Sequence, residues 1–150
     1  MFIIFATENS KFNLNNLIMI KIAIPTDNRT AIAAHFGRTK EFKVIGIEDR
    51  NIVDEEYRIN DFTGHTRQNH EHEHHHHNHH GHEHHSHTGI LNALYDCEVI
   101  IAHGMGRRAY DDLMSAGKKI FVTRQHLIDK AIAEYMEGTL DNNEAGCCEH

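Results

Sequence analysis

The stretch EVIIAHGMGRRAYDDLMSAGKKIFVT, residues 98–123, decides the fold. Val99, Ile100, Ile101 and Ala102 form a continuous apolar run, the pattern of a short strand covered on both faces. Gly104, Met105 and Gly106 interrupt that run. A helical period then extends from about Gly106 to Ala116 and buries Ala109 and Leu113. Gly117 stands where such a helix ends, and Lys119 to Thr123 repeats the strand-like pattern. Strand, glycine loop, helix and strand in that order make a crossover unit. Such a unit sets two parallel strands in one sheet and is nearly always right-handed.

Upstream, Ile20, Ile22 and Ile24 alternate before Pro25, which should end a first strand. Glu41 to Ile47 reads as a second strand and Ile52 to Ile59 as a third, with a hairpin over the polar link from Glu48 to Asn51. Thr88 can cap a helix whose buried face is Ile90, Leu91, Leu94 and Tyr95. Downstream, Leu127, Ile128, Ala131, Ile132, Tyr135 and Met136 share one helical face, with Gly138 beyond its end. The expected architecture is one α/β domain over residues 19–140, a mixed five-stranded sheet with helices on its faces.

At 150 residues the chain can bury one real core, and its 39 % hydrophobic and 25 % charged content is ordinary for a globular protein. A formal net charge of −7 argues against a nucleic-acid binder. Three cysteines, Cys97, Cys147 and Cys148, are too few and too badly spaced for a disulfide framework, which suits a reducing cytoplasm. The apolar run from Phe2 to Ala6 is too short for a bilayer span or a signal core, so no membrane association is expected. Met19, directly ahead of the first strand, reads as the physiological start, with residues 1–18 an extension. Mass spectrometry of the native N-terminus tests this, and an intact Met1 or Phe2 end overturns it.

Residues 64–87 break the pattern. The tract HEHEHHHHNHHGHEHHSH supplies His70, His72, His74, His75, His76, His77, His79, His80, His82, His84, His85 and His87. A segment so polar cannot offset its own ordering entropy and is expected to be a flexible loop inserted into a finished domain. Neutral imidazole is a ligand for Zn²⁺, Ni²⁺, Cu²⁺ and Co²⁺, so the tract is read as metal-binding. The blander and less favoured reading is a drifted low-complexity insert whose metal affinity serves no purpose. The tail, residues 141–150, ends in Cys147, Cys148, Glu149 and His150, which add two thiolates and an imidazole. Two cysteines do not complete a tetrahedral site, so further donors must come from elsewhere. Cys97, just ahead of an apolar strand, reads as a buried small hydrophobe.

The run KIAIPTD, residues 21–27, followed by AHFGRTKEF, residues 34–42, resembles the opening strand and HFGR-type loop of the dinitrogenase iron–molybdenum cofactor biosynthesis family. Residues 98–123 resemble that family's strand, glycine loop, helix and strand, and the likeness covers roughly residues 19–140 apart from the histidine insertion. The resemblance implies a ribonuclease-H-like fold with strand order 3-2-1-4-5 and strand 2 antiparallel. It also implies a non-catalytic role in binding or carrying iron–molybdenum cofactor, its precursors or another metal–sulfur cluster. A cofactor-assembly or acceptor protein would then be the partner.

The glycine loop lies at the carboxyl end of a parallel strand, where open α/β sheets bind ligands. Gly104, Met105 and Gly106 would let a ligand approach the backbone, and Arg107 with Arg108 would favour an anion. His103 and His35 are the imidazoles expected to reach the cluster there. A rival reading makes the chain a divalent-metal store or sensor that uses the histidine loop and the CCEH tail. A nuclease is disfavoured, since Asp27 is the one acid well placed after the first strand and two-metal chemistry needs a set of carboxylates. No nucleophile–base arrangement suggests any other enzyme.

Overall fold

The computed structural model describes residues 18–61 and 88–144, together with the backbone of 147–148. The expected N-terminal extension before residue 18, the histidine tract and His150 lie outside the described residues. Five strands form the main sheet: β1 (Ile20–Thr26), β2 (Glu41–Glu48), β3 (Asn51–Ile59), β4 (Val99–Ala102) and, across the crossover, β6 (Lys119–Val122). Their order is β3-β2-β1-β4-β6. β2 runs antiparallel to both β1 and β3, while β4 is parallel to β1 and β6. A separate two-stranded sheet pairs β5 (Met105–Gly106) with β7 (Cys147–Cys148) in parallel.

Strand periodicity divides the buried residues into two cores. Ala23, Val44, Ile100 and Ile120 face one side, where α1 (Thr88–Ala93) contributes Ile90, and α2 (Arg107–Ser115) contributes Ala109, Tyr110 and Leu113. Ile22, Ile24, Ile45 and Ile101 face the other side, where α3 (Ile128–Glu137) contributes Ile128, Ala131 and Ile132. All four residues of β4 are buried, as its apolar run requires of a strand sandwiched between helices. β3 is the opposite case, an edge strand whose residues are exposed or half-buried.

The β2–β3 hairpin turns on Asp49 and Arg50, both with positive φ (46° and 64°), as a tight two-residue turn matched to strand twist demands. Gly117 (φ 79°) and Gly138 (φ 76°) take left-handed backbone just past α2 and α3, where a side chain would be strained. Two residues differ from the helical-face reading. Tyr95 is 77 % exposed because α1 ends at Ala93 and the period that would bury it stops there. Leu127 is 39 % exposed because it is the N-cap of α3, with extended backbone, not a member of its buried face.

A charged knot ties α1 to the sheet. Asp96 accepts from Arg58 at 2.6 and 2.8 Å and from Lys21 Nζ at 3.0 Å. Arg58 also donates to the Ala93 carbonyl at 2.7 Å and pairs with Glu56. The Arg58 guanidinium, ahead of Lys21, holds the Asp96 carboxyl well below the usual carboxylate range. Beside it Cys97 is fully buried, and burial first, then the Asp96 charge, pushes its thiol up to about 12. A thiol in that state is an inert core residue. Lys118 Nζ donates to the carbonyls of Leu94 and Tyr95 at 3.0 and 2.7 Å, satisfying acceptors left beyond the short helix.

Candidate functional site

The carboxyl end of β1 opens into the loop that carries HFGR. Asn28 Oδ1 accepts from the amides of Thr30 and Ala31, and Thr26 Oγ1 donates to the Ala31 carbonyl at 2.8 Å, so the loop is folded on itself. Its return is pinned by Asp27, whose carboxylate accepts from the Lys40 amide at 2.8 Å. The one acid after β1 is therefore engaged by loop backbone. Phe36 is the anchor: it is 2 % exposed and its ring lies 5.2 Å from that of Phe42. A single 3₁₀ turn, Phe36–Arg38, leaves His35 and Arg38 at the surface on either side of that anchor.

The glycine loop after β4 is held against this turn. The Phe36 amide donates to the Gly104 carbonyl at 3.0 Å. A Cβ on Gly104 would stand 2.4 Å from the Ala34 carbonyl oxygen, so only glycine allows the two backbones to meet. Met105 is 1 % exposed and its side chain belongs to the core packed under α1 and α2. It fastens the loop from beneath. Gly106 is the N-cap of α2 and, as glycine, brings no side chain to cap the first-turn amides.

Together His35, Phe36, Gly37, Arg38, Gly104, Met105 and Gly106 line an open cleft of about 170 Å³. Gly37 and Gly106 have ordinary backbone conformations, and a Cβ at either would meet nothing within 4 Å. The fold does not need glycine at these two places. What their absence of side chains does is leave bare backbone facing the cleft. Arg107 and Arg108, the first residues of α2, are exposed beside it, and among the described residues Arg107 makes a long ion pair, 3.9 Å, with Asp111.

The structure thus joins His35 with Gly104 and Gly106, and Met105 takes part through its backbone because its side chain is buried. His103 goes elsewhere. Its Nδ1 lies 3.0 Å from the Thr123 carbonyl and its ring packs 4.6 Å from that of His126, and it does not line the cleft. Residue 103 ends the strand side of the loop and is drawn to the β6 end, so sequence adjacency to Gly104 did not place its ring with His35. Arg38 and Gly37 are cleft residues that sequence reasoning did not single out, although both stand inside the HFGR motif it used. Among the described residues no three His, Cys, Asp or Glu side chains gather as a metal site, and no helix is long and apolar enough to cross a membrane.

The described start of the tail, residues 141–143, is docked on the edge of the sheet. Thr123 Oγ1 hydrogen-bonds Asp141, whose carboxylate also accepts from the Arg124 amide at 3.0 Å. Asn142 accepts from the Val122 amide at 3.0 Å and donates to the Ile120 carbonyl at 3.2 Å. Its side-chain amide thereby imitates a neighbouring strand on the open edge of β6. The Asn143 amide donates to the Val122 carbonyl at 2.7 Å. Beyond it, the backbone of Cys147 pairs with Met105 and that of Cys148 with Gly106.

A much larger groove, about 570 Å³, lies on the α3 side among Ile20, Ile47, Phe121 and Tyr135. It contains no residue of the HFGR turn or of the glycine loop, so size alone does not mark the site.

The protein-family model for dinitrogenase iron–molybdenum cofactor matches residues 19–138. An uncharacterized protein of Methanocaldococcus jannaschii, MJ0580, is 29 % identical over 126 residues, 84 % of this chain and 93 % of that protein. Among solved structures, the MJ0327 protein of the same organism superposes with a TM-score of 0.59 at 20 % identity, covering 85 % of this chain and 97 % of that one. The apo form of the orange protein of Desulfovibrio gigas gives 0.58 at 18 % identity, covering 85 % and 95 %. At those identities the structural likeness establishes the mixed α/β fold alone. The family match spans the sheet, the HFGR turn and the glycine loop, and on it the chain belongs to the dinitrogenase iron–molybdenum cofactor family.

Proposed function

We propose that this protein is a non-catalytic carrier that holds iron–molybdenum cofactor, a precursor of it or another metal–sulfur cluster in the cleft between the HFGR turn and the glycine loop. The observation that carries the reading is the pair of glycines, Gly37 and Gly106, that the fold itself does not require and that bare the backbone beside His35, Arg38 and Arg107. An anionic cargo suits that setting. The first-turn amides of α2 and the arginines favour negative charge, and one imidazole supplies a direct ligand. In this reading the domain is a ribonuclease-H-like scaffold without its carboxylate chemistry. The histidine tract, His70 to His87, gathers divalent ions such as zinc, nickel, cobalt or copper for or beside that site. Location in the cytoplasm follows from cysteines left without a disulfide framework.

The test is anaerobic purification of the untagged chain, with iron, molybdenum, sulfide, nickel, zinc, cobalt and copper counted per chain, alongside a version lacking residues 65–87. Iron and sulfide, with or without molybdenum, are expected to remain with the shortened protein. If every metal leaves with the tract and none was iron or molybdenum, the cleft is no cluster site and the chain is a metal store or sensor.

A further inference from the structure

We infer that His103 and His126 form a two-imidazole site for a borderline ion of square geometry, Cu²⁺ or Ni²⁺, at the carboxyl edge of β4 and β6. The site shares no side chain with the cleft between the HFGR turn and the glycine loop. It therefore goes beyond the proposed function and does not rest on it.

The first observation is the commitment of His103. A backbone carbonyl can only accept, so the 3.0 Å contact between Nδ1 and the Thr123 oxygen puts a proton on Nδ1. In the neutral ring the lone pair is then on Nε2. Histidines that bind metals ordinarily make this same bond with their other ring nitrogen, which fixes the ring and raises its basicity.

The second is spacing. The ring centroids of His103 and His126 are 4.6 Å apart and the rings are tilted by 47°. Two imidazoles bound at a right angle to one ion, with metal–nitrogen bonds of about 2.0 Å, have centroids about 4.5 Å apart. A tetrahedral angle opens that separation to about 5.2 Å, so the pair fits the square geometry of Cu²⁺ or Ni²⁺ better than that of Zn²⁺. Packing gives no comparable reason for the contact, since His126 remains exposed.

The third is the mounting of both rings. The Thr123 amide donates to the Ala102 carbonyl at 2.9 Å, which ties the ends of β4 and β6 together beside His103. His126 sits on a turn held from both sides: its amide donates to Gln125 Oε1 at 3.1 Å, and its carbonyl accepts from the Ile32 amide at 2.8 Å. Gln125 in turn donates to Glu134 of α3 at 2.8 Å. Rings on fixed backbone lose little freedom when they take an ion. Among the described residues no third His, Cys, Asp or Glu side chain joins the pair. Water or a donor brought by a partner fills the other positions, so the ion is held exchangeably.

Full-length protein would be treated with diethyl pyrocarbonate, which acylates a free imidazole nitrogen, with and without Cu²⁺. Modification is then counted by mass spectrometry after cleavage at Glu98, which parts His103 from the histidine tract. Cu²⁺ should protect His103 and His126 together, over one range of concentration. His126→Ala, at an exposed position, should raise the Cu²⁺ needed to protect His103 by at least about ten-fold, the lower end of what losing even an outer partner of a metal ligand costs. His103→Ala should do the same to His126. The melting curve of His126→Ala should match the parent. Protection of His103 that is unchanged in His126→Ala means that no ion is shared and overturns the proposal. Protection of one histidine alone, or of neither, overturns it as well.

The two readings fail separately. If iron and sulfide stay on the chain while the pair goes unprotected, the carrier reading stands and this inference falls. If no cluster is found yet His103 and His126 protect each other, the paired site stands without the carrier reading.

Discussion

Two groups of charged residues on this domain behave in opposite ways. Around Asp96 every charge is answered: Arg58, Lys21 and Glu56 close on one another and on the Ala93 carbonyl, with the Asp96 side chain 22 % exposed. Around the glycine loop, the described residues leave Arg38 without a recorded ion pair and Arg107 with one long contact to Asp111. The same contrast holds for glycine. Gly104 is required by the Ala34 carbonyl pressed against it, whereas Gly37 and Gly106 face open space. Groups that satisfy one another hold the fold. Groups and backbone left unsatisfied beside a cleft are the ones available to something outside the chain.

That contrast is easiest to break at the knot. Asp96→Ala should destabilise the domain by about 3 kcal/mol in urea unfolding, because it strands Arg58 and Lys21 in a half-buried setting. Metal content of the folded fraction should not change. A loss below about 0.5 kcal/mol, within the range of ordinary surface substitutions, would make the knot decorative.

Acid sharpens the same point. The folded state depresses the Asp96 pKa, so its contribution is full above the unfolded carboxylate value of about 3.9 and is lost as pH falls through the lower folded value. The stability gap between the parent and Asp96→Asn should therefore be constant from pH 7 to about 5 and shrink steadily below about pH 4. A gap that stays constant to about pH 2 contradicts the assignment.

Gly104→Ala should cost about 2 kcal/mol, since backbone meets the new methyl group and the two loops must part. The smallest effect on stability belongs to Gly106→Ala and Gly37→Ala, within about 0.5 kcal/mol of the parent by thermal unfolding. Those two should nevertheless lower the iron and sulfide retained per chain. Full retention by both would remove the observation on which the proposed cleft rests.

Much of the architecture was legible. The alternation Ile20, Ile22, Ile24 and the unbroken run from Val99 to Ala102 report burial directly, because a strand's two faces are written at fixed spacing. Gly117 and Gly138 marked two helix ends because left-handed backbone selects glycine. Tyr95 and Leu127 were misplaced because periodicity names a face without saying where the helix stops. In the cleft, His35 and the glycines were legible as motif residues. Arg38 was passed over, and His103 was grouped with His35 although its ring does not line the cleft. Direction is a tertiary property: one residue before Gly104 the side chain is committed to Thr123 and His126 instead.

The sequence by itself determined the α/β class, the two cores and the two motif loops, since each depends on local spacing or on one residue's backbone preference. Only the tertiary structure decided that the HFGR turn and the glycine loop form one cleft, joined by the Phe36 amide and the Gly104 carbonyl. It also decided that a tail with no periodicity of its own is rooted on β6 and returns to Met105 and Gly106. Both are pairings between residues far apart in the chain. Their partners are chosen by what the folded sheet leaves open, which no short stretch of sequence records.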